Sequence, residues 1–291
     1  MRAMAETTFH ALPALGAVSL TGTDAASFLQ GQVTADLGGL QGRRSTPAAW
    51  CTPQGRVIAL LTVGRSANGD GLVAVLRREL CGPVAERLAR YVMRSKVRIE
   101  LDDAVVAGLD GDAAGIRETP GITVLQLPAS RQLLVGRGEA LEASAANAAA
   151  APAGAWEARC IALGEPEVHA QTSERWIPQM LNLDLVGGVS FSKGCYPGQE
   201  IVARTQHLGR IKRRMFRYRV AGAAPPPGTA LCLGGDKVGE TVRSACQASA
   251  TELLAVVNLE AAGRELTDES GALVCVPAAL PYEIPDEVSS E

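Results

Sequence analysis

No unbroken apolar run in this chain exceeds five residues; Val57-Ile58-Ala59-Leu60-Leu61 is one of that length. A helix across a bilayer needs about 20 apolar residues, so no helix is expected to span a membrane. Apolar runs near 215–220, 229–233, 238–243, 252–257 and 272–276 are separated by Pro225-Pro226-Pro227-Gly228, Gly234-Gly235 and polar loops. Short runs with turn residues between them predict a small β-barrel or sandwich in the tail from about 212.

The rest of the chain mixes strands and helices. Thr23 or Asp24 can cap a short helix through Phe28-Leu29, with Gly31 as its stop. Thr52-Pro53-Gln54-Gly55 has the composition of a type I turn between strands at 45–52 and 57–64. Asn68-Gly69 reads as a hairpin turn into Leu72–Leu76. Leu80, Val84, Leu88 and Tyr91/Val92 share one face of a helix over 79–93. Val97, Ile99 and Leu101 alternate as a half-buried strand does, and further strands fall at 122–127 and 132–136. Residues 140–155 hold ten Ala in sixteen and predict a helix fraying into a connector. A helix follows from Trp156 to Leu163, ended by Gly164 and Pro166, and Pro285 to Glu291 reads as a loose acidic tail.

The 291 residues carry 28 Lys+Arg against 31 Asp+Glu, a net charge of -3 that argues against wholesale polyanion binding. Residues 1–16 lack a long apolar core and a small-residue cleavage site, so no signal peptide is expected. Seven scattered cysteines without a CxxC point to reduced thiols in a cytoplasm. They also speak against a tetracysteine metal site. The three histidines form no HxxxH pair, so no resident metal is expected.

The most informative segment runs from Val189 to Arg204, VSFSKGCYPGQEIVAR. A short apolar strand should reach Phe191, and a tight turn with Gly194 and Gly198 should surround Cys195. A helix should then start near Pro197 or Gly198 and run to about Leu208, with Gly209 as its stop. Cys195 then sits just before a helix N-terminus and two residues from Lys193, both of which favour a thiolate. Gln199 and Glu200 fall in the first turn. The constellation suits a reactive thiol or a single thiolate ligand to a shared cluster; the plain alternative is a buried cysteine in a tight turn. His207 lies roughly 18 Å along the helix, too far to serve as the base of a cysteine hydrolase. The other six cysteines read as packing, with Cys51 beside Trp50 as the one to watch.

From Arg204 to Arg219 there are seven basic residues and no acid, interleaved with Met215, Phe216, Tyr218 and Val220. Such a strand can hold RNA phosphates or the carboxylates of a glutamate tail, or can simply present one solvated basic face. Gln30 to Asp36, QGQVTAD, reads as either a pocket-lining segment or a plain helix-stop loop. Neither GxGxxG after a strand nor GxxxxGK[ST] occurs, so a nucleotide fold has no support.

Lys193 to Glu200, KGCYPGQE, resembles the K-G-C-[FY]-x-G-Q-E signature of the YgfZ-type folate-binding proteins, relatives of the glycine-cleavage T-protein (aminomethyltransferase). Leu20 to Asp36, Pro53-x-Gly55-Arg56-Val57, Tyr91 to Val97 and Ile177-Pro178-Gln179 are also similar to that family. The resemblance implies an α+β fold, a three-domain T-protein-like ring with a small C-terminal β-barrel. Its parts would be an N-terminal domain at 1–140, a central segment at 141–211 packing with it around a folate pocket, and the barrel at 212–291. It implies tetrahydrofolate or another reduced folate as ligand, iron–sulphur clients including a tRNA-modifying enzyme, and a transient cluster contact through Cys195. Lys193 and Cys195 would carry the chemistry; Gly194, Gly198, Gln199, Glu200 and Arg204 would orient the thiol or contact the ligand. Two departures bear on the T-protein's own reaction. Its carboxylate-bearing strand matches Gly55 to Leu61, which holds no acid, and its pterin-contacting Glu is missing from Arg159 to Gly164. Apolar side chains do no proton work, so a folate-dependent aminomethyltransferase is the weaker alternative, and direct RNA binding through 204–219 is a third.

Overall fold

The computed structural model describes residues 7–67, 69, 71–111, 119–247 and 250–285. These divide into two units. One comprises the described parts of Met1–Trp50 and Ala59–Pro152 with Gly187–Pro197; the other comprises Cys51–Ile58, Ala153–Val186 and the described part of Gly198–Glu291.

The first unit contains two five-stranded sheets. Strands β1 (Thr8–Ala11), β7 (Val105–Asp110), β8 (Thr123–Leu127), β9 (Arg131–Gly136) and β10 (Ala149–Ala150) form one, in the order β10-β1-β7-β9-β8. Strands β2 (Leu15–Thr21), β3 (Ser45–Cys51), β4 (Val57–Arg65), β5 (Gly71–Arg77) and β6 (Arg98–Asp102) form the other, in the order β3-β4-β5-β2-β6. The sheets meet where Gly64 of β4 makes room for the Leu125 side chain of β8, whose Cδ2 would lie 2.4 Å from a Cβ on Gly64. Helices α1 (Ala25–Gln30), α2 (Arg78–Ala89) and α3 (Gly138–Ser144) cover this unit.

The second unit holds α4 (Ala155–Ala162), α5 (Gln199–His207) and a closed barrel. The barrel is made of β11 (Arg213–Ala221), β12 (Ala230–Leu233), β13 (Asp236–Gln247), β14 (Ala250–Asn258), β15 (Leu266–Thr267) and β16 (Val274–Ala278), in the order β11-β14-β13-β12-β15-β16. Tyr218, Val220, Leu231, Leu253, Ala255, Val257, Leu266 and Cys275 fill its interior. The register between β13 and β14 shifts at a bulge where Thr241 pairs with Ala255 and Arg243 with Leu254. The extra residue re-aims Arg243, whose Nε donates to Glu157 of α4 at 2.7 Å and whose Nη2 lies 3.7 Å from Glu167.

The strand-rich tail is as expected, with β15 as an addition. Other expectations are corrected. Asp24 does not cap α1: its carboxylate accepts the Lys96 N–H at 2.7 Å instead. Helix α2 stops at Ala89, and Tyr91 lies exposed beyond it. Leu101 on β6 is exposed rather than half-buried, because β6 is an edge strand. The alanine-rich stretch is helical only as far as Ser144; Ala149 and Ala150 pair in parallel with Thr8 and Phe9. Alanine's helix propensity is worth only tenths of a kcal/mol per residue, and strand pairing overrides it. No strand reaches Phe191; that segment is irregular, held by Ser190 N–H donating to Thr34 O at 2.9 Å and Thr34 Oγ1 donating to Gly188 O at 2.6 Å. Asn68 of the hairpin turn and the tail past Pro285 lie outside the described residues.

One ion-pair cluster on the barrel gives a pH prediction. Burial would raise the Glu240 carboxyl, but donations from Lys237 at 2.6 Å and Arg175 at 3.1 Å outweigh it and hold it below its ordinary 4.5. A depressed carboxyl contributes stability that is present above 4.5 and lost as the pH falls through the folded value. Glu240→Gln should therefore lower the melting temperature near neutrality and flatten its dependence on pH below 4.5, so that the two proteins converge in acid. Parallel profiles for the two proteins would contradict this.

Candidate functional site

Lys193 has the most defined surroundings of the predicted site residues. Its ammonium donates to three main-chain carbonyls at the end of α1 and in the loop after it: Gln30, Val33 at 2.6 Å and Ala35 at 3.0 Å. The same nitrogen lies 5.3 Å from the centre of the buried Tyr196 ring, within range of a cation–π attraction. Burial lowers the Lys193 pKa to about 8, while Asp36 pulls it up. The loop is closed by its own contacts. Gln30 Nε2 donates to Asp36 Oδ1 at 3.0 Å, and Gln30 Oε1 accepts the Leu37 N–H at 2.7 Å. The Gly38 N–H and the Gln30 amide hold the Asp36 carboxyl below the usual carboxylate range. Thr34 ties the loop to β3, accepting the Ala49 N–H at 2.8 Å. The helix-stop reading of Gln30–Asp36 thus describes its geometry, and its carbonyls add a cation seat that no side-chain motif announces.

In the second unit, Gly198 is a glycine by necessity. Its φ is +82°, and a Cβ there would lie 2.5 Å from Thr52 O and 2.7 Å from Gly55 Cα. The expected turn at Thr52–Gly55 exists, with the Gly55 N–H donating to Thr52 O at 2.9 Å and Gly55 at φ +72°. It packs on the start of α5, where a Cβ on Gly55 would touch Ile201 at 3.2 Å. The turn is held from its other side: Arg56 Nη1 donates to Arg175 O at 2.7 Å, and the Val57 N–H to Trp176 O at 2.8 Å. Inside α5, the Val202 carbonyl accepts from the fully buried Gln179 side chain at 2.7 Å. The predicted helix is therefore present, beginning at Gln199.

Lys193, Gly194 and Cys195 belong to the first unit, and Gly198, Gln199, Glu200 and Arg204 to the second. Cys195 is exposed, as are Gly194, Glu200 and Arg204, while Gln199 is half-buried. Nothing lies within 4 Å of a Cβ built on Gly194, so its surroundings do not demand glycine. Among the described residues no group of three or more His, Cys, Asp or Glu is placed to hold a metal ion. Of the other thiols, Cys51, Cys81, Cys160, Cys232 and Cys275 are buried, and Cys246 is exposed rather than packed. Burial pushes the Cys51 thiol up to about 12, which makes it inert. Brief treatment of the native protein with iodoacetamide should label Cys195 and Cys246 and spare the other five. Labelling of Cys51 in step with Cys195 would contradict this.

The basic segment is corrected in part. Arg214 forms a bidentate pair with Asp184 at 2.8 and 2.9 Å, and the single Arg217 Nη2 donates to both Glu252 oxygens at 2.9 and 2.7 Å. Arg219 lies 3.6 Å from the same Glu252. The acids missing from the local sequence come from Asp184 and from β14. What stays accessible without an acid among the described residues includes Arg204 and Lys212, ahead of the strand rather than on it.

Two structural features define the class. A closed six-stranded barrel follows two five-stranded sheets in a mixed α+β chain. The same fold occurs in the glycine cleavage system aminomethyltransferase T from Bartonella henselae, with a TM-score of 0.74 at 14% identity over 94% of this chain and 86% of that one. The chain therefore has the T-protein fold. No protein-family model matches it. It is 35% identical over 230 residues to the tRNA-modifying protein YgfZ of Yersinia pestis (strain Pestoides F), covering 71% of this chain and 68% of that protein. It is 32% identical to the YgfZ of Sodalis glossinidius over 92% of this chain and 90% of that one. The chain belongs to the YgfZ family. Among the described residues no helix is long and apolar enough to cross a membrane.

Proposed function

We propose that this protein binds a reduced folate, such as tetrahydrofolate, and serves the assembly or repair of iron–sulphur enzymes, tRNA-modifying ones among them, through Cys195. The observation that carries this reading is the accessibility of the Cys195 thiol within KGCYPGQE. That thiol follows the fixed Lys193 loop and precedes α5. The named relatives are tRNA-modifying proteins, and a cluster-dependent tRNA-modifying enzyme is a client of the kind that reading requires. Cys195 would supply one thiolate to a cluster in transit, the cluster being cargo.

The donor set fits the acidic end of a folate. Arg204 and Lys212 are exposed cations with no acid partner among the described residues, and charge-assisted bonds to a glutamate tail are the interactions they can offer. It does not fit aminomethyl transfer. Val57, Ile58, Ala59 and Leu61, where the T-protein strand bears its carboxylate, are buried and apolar.

Cys195→Ala should fold normally, because an exposed side chain rarely contributes more than about 0.5 kcal/mol. It should leave iron–sulphur enzyme activity at background in a deletion strain that the unaltered protein restores. Full restoration by the variant would overturn the thiol's role. Tetrahydrofolate should raise the melting temperature, since a ligand at 100 times its Kd stabilises by about 2.7 kcal/mol; no shift at saturating concentrations would remove the folate. A tRNA gel shift at low salt, where phosphate contacts are strongest, would show instead that nucleic acid is bound directly.

A further inference from the structure

A lysine ammonium has three N–H donors, and those of Lys193 face three main-chain carbonyls, that of Gln30 at the end of α1 and those of Val33 and Ala35 in the loop that follows. A Tyr196 ring stands over the same nitrogen at 5.3 Å. Carbonyls converging on one point repel each other unless a cation or donors fill the space between them. The arrangement is thus a small oxygen cage built from backbone and filled in cis. It also joins two segments distant in sequence. The cage lies at the end of α1 and just after it, and the lysine sits two residues from Cys195. At the other end of the junction, Thr34 is bonded to Gly188 and Ser190. Between these anchors the 191–195 backbone has no strand or helix of its own.

We infer that Lys193 is a positioning residue: its ammonium fills a three-carbonyl cage at residues 30–35 and thereby fixes the loop that presents Cys195. The role depends on directed hydrogen bonds to carbonyls, and not on charge alone. The importance of a fixed Cys195 for the protein's work rests on the proposed function; the cage itself does not.

The test is chemical rescue. Lys193→Ala removes the atoms of a propylammonium ion and leaves the cage empty. In that variant, amide hydrogen exchange at 30–37 should quicken at least tenfold, and the iodoacetamide rate of Cys195 should change severalfold. Millimolar n-propylammonium should return both toward the original values, and n-propanol, of the same length but uncharged, should not. Exchange and labelling unchanged by the substitution would overturn the inference, as would equal rescue by propanol, which would mean that only volume was lost. Should Lys193→Ala fail to fold, Lys193→Met keeps the apolar stem without the ammonium. It should show the same faster exchange and altered labelling, and native behaviour in Lys193→Met would overturn the inference. Restoration of iron–sulphur enzyme activity in the deletion strain is scored separately. A variant with a disturbed loop but full restoration would count against the function proposed for Cys195 and leave the cage standing.

Discussion

Gly198→Ala should be among the most damaging single methyl additions to this protein, costing about 3 kcal/mol or more. Two effects combine. A non-glycine residue at φ +82° is strained by roughly 1–2 kcal/mol, and overpacking adds about 1–3 kcal/mol. The obstruction is backbone, with Thr52 O at 2.5 Å and Gly55 N at 2.8 Å from the new carbon, so no rotamer can relieve it. The turn or the start of α5 must move. Urea denaturation of Gly198→Ala beside Gly194→Ala checks this. The second substitution meets nothing within 4 Å and should change stability by less than about 0.5 kcal/mol. Equal midpoints for the two variants would show that the close approach of Gly198 to the Thr52–Gly55 turn is not a feature of the native protein.

Asp184→Ala should cost about 3–5 kcal/mol, the range for leaving a buried charge without its partner. The pair is almost wholly enclosed, with the Arg214 side chain 7% and the Asp184 side chain 3% exposed. Arg214 also donates to Gln179 O at 3.0 Å, and Asn182 donates to Met215 O at 2.8 Å. This cluster fastens the 178–184 segment to β11, and Gln179 reaches on to α5 through Val202 O. Loss of the acid should therefore loosen α5 as well as the barrel. The double variant Asp184→Leu/Arg214→Met should recover a large part of the loss, since apolar replacement of both ions removes the unpaired charge. Thermal melts of the set measure the coupling. A single-variant loss below about 1 kcal/mol would mean that the pair is hydrated like a surface one.

Both residues show how unevenly this molecule could be read in advance. Gly198 was legible as a glycine in a turn before a helix, and the Thr52–Gly55 turn was legible too. That the two press on each other was not, because 143 residues separate Gly55 from Gly198 and no local pattern records a contact at that distance. Arg214 shows the opposite fault. Its neighbours made a basic strand with no acid, and the structure answers with Asp184 thirty residues away and Glu252 on the neighbouring strand. A charge run describes one segment; its neutralisation depends on which segments pair.

Local chemistry alone specified five of the barrel's six strands, the turn at Thr52–Gly55, the start of α5 and the singular character of the Cys195 segment. Each depends on interactions within a few residues: alternation, turn dihedrals, helix capping. The tertiary structure decided the rest. It exposed Cys195 and Cys246 and buried the other five thiols, and it bent the alanine-rich stretch into a strand beside β1. It also aimed the Lys193 ammonium at three carbonyls. Every residue carries a main-chain carbonyl, so a cage made of carbonyls leaves no mark in the order of side chains and exists only once the backbone has folded.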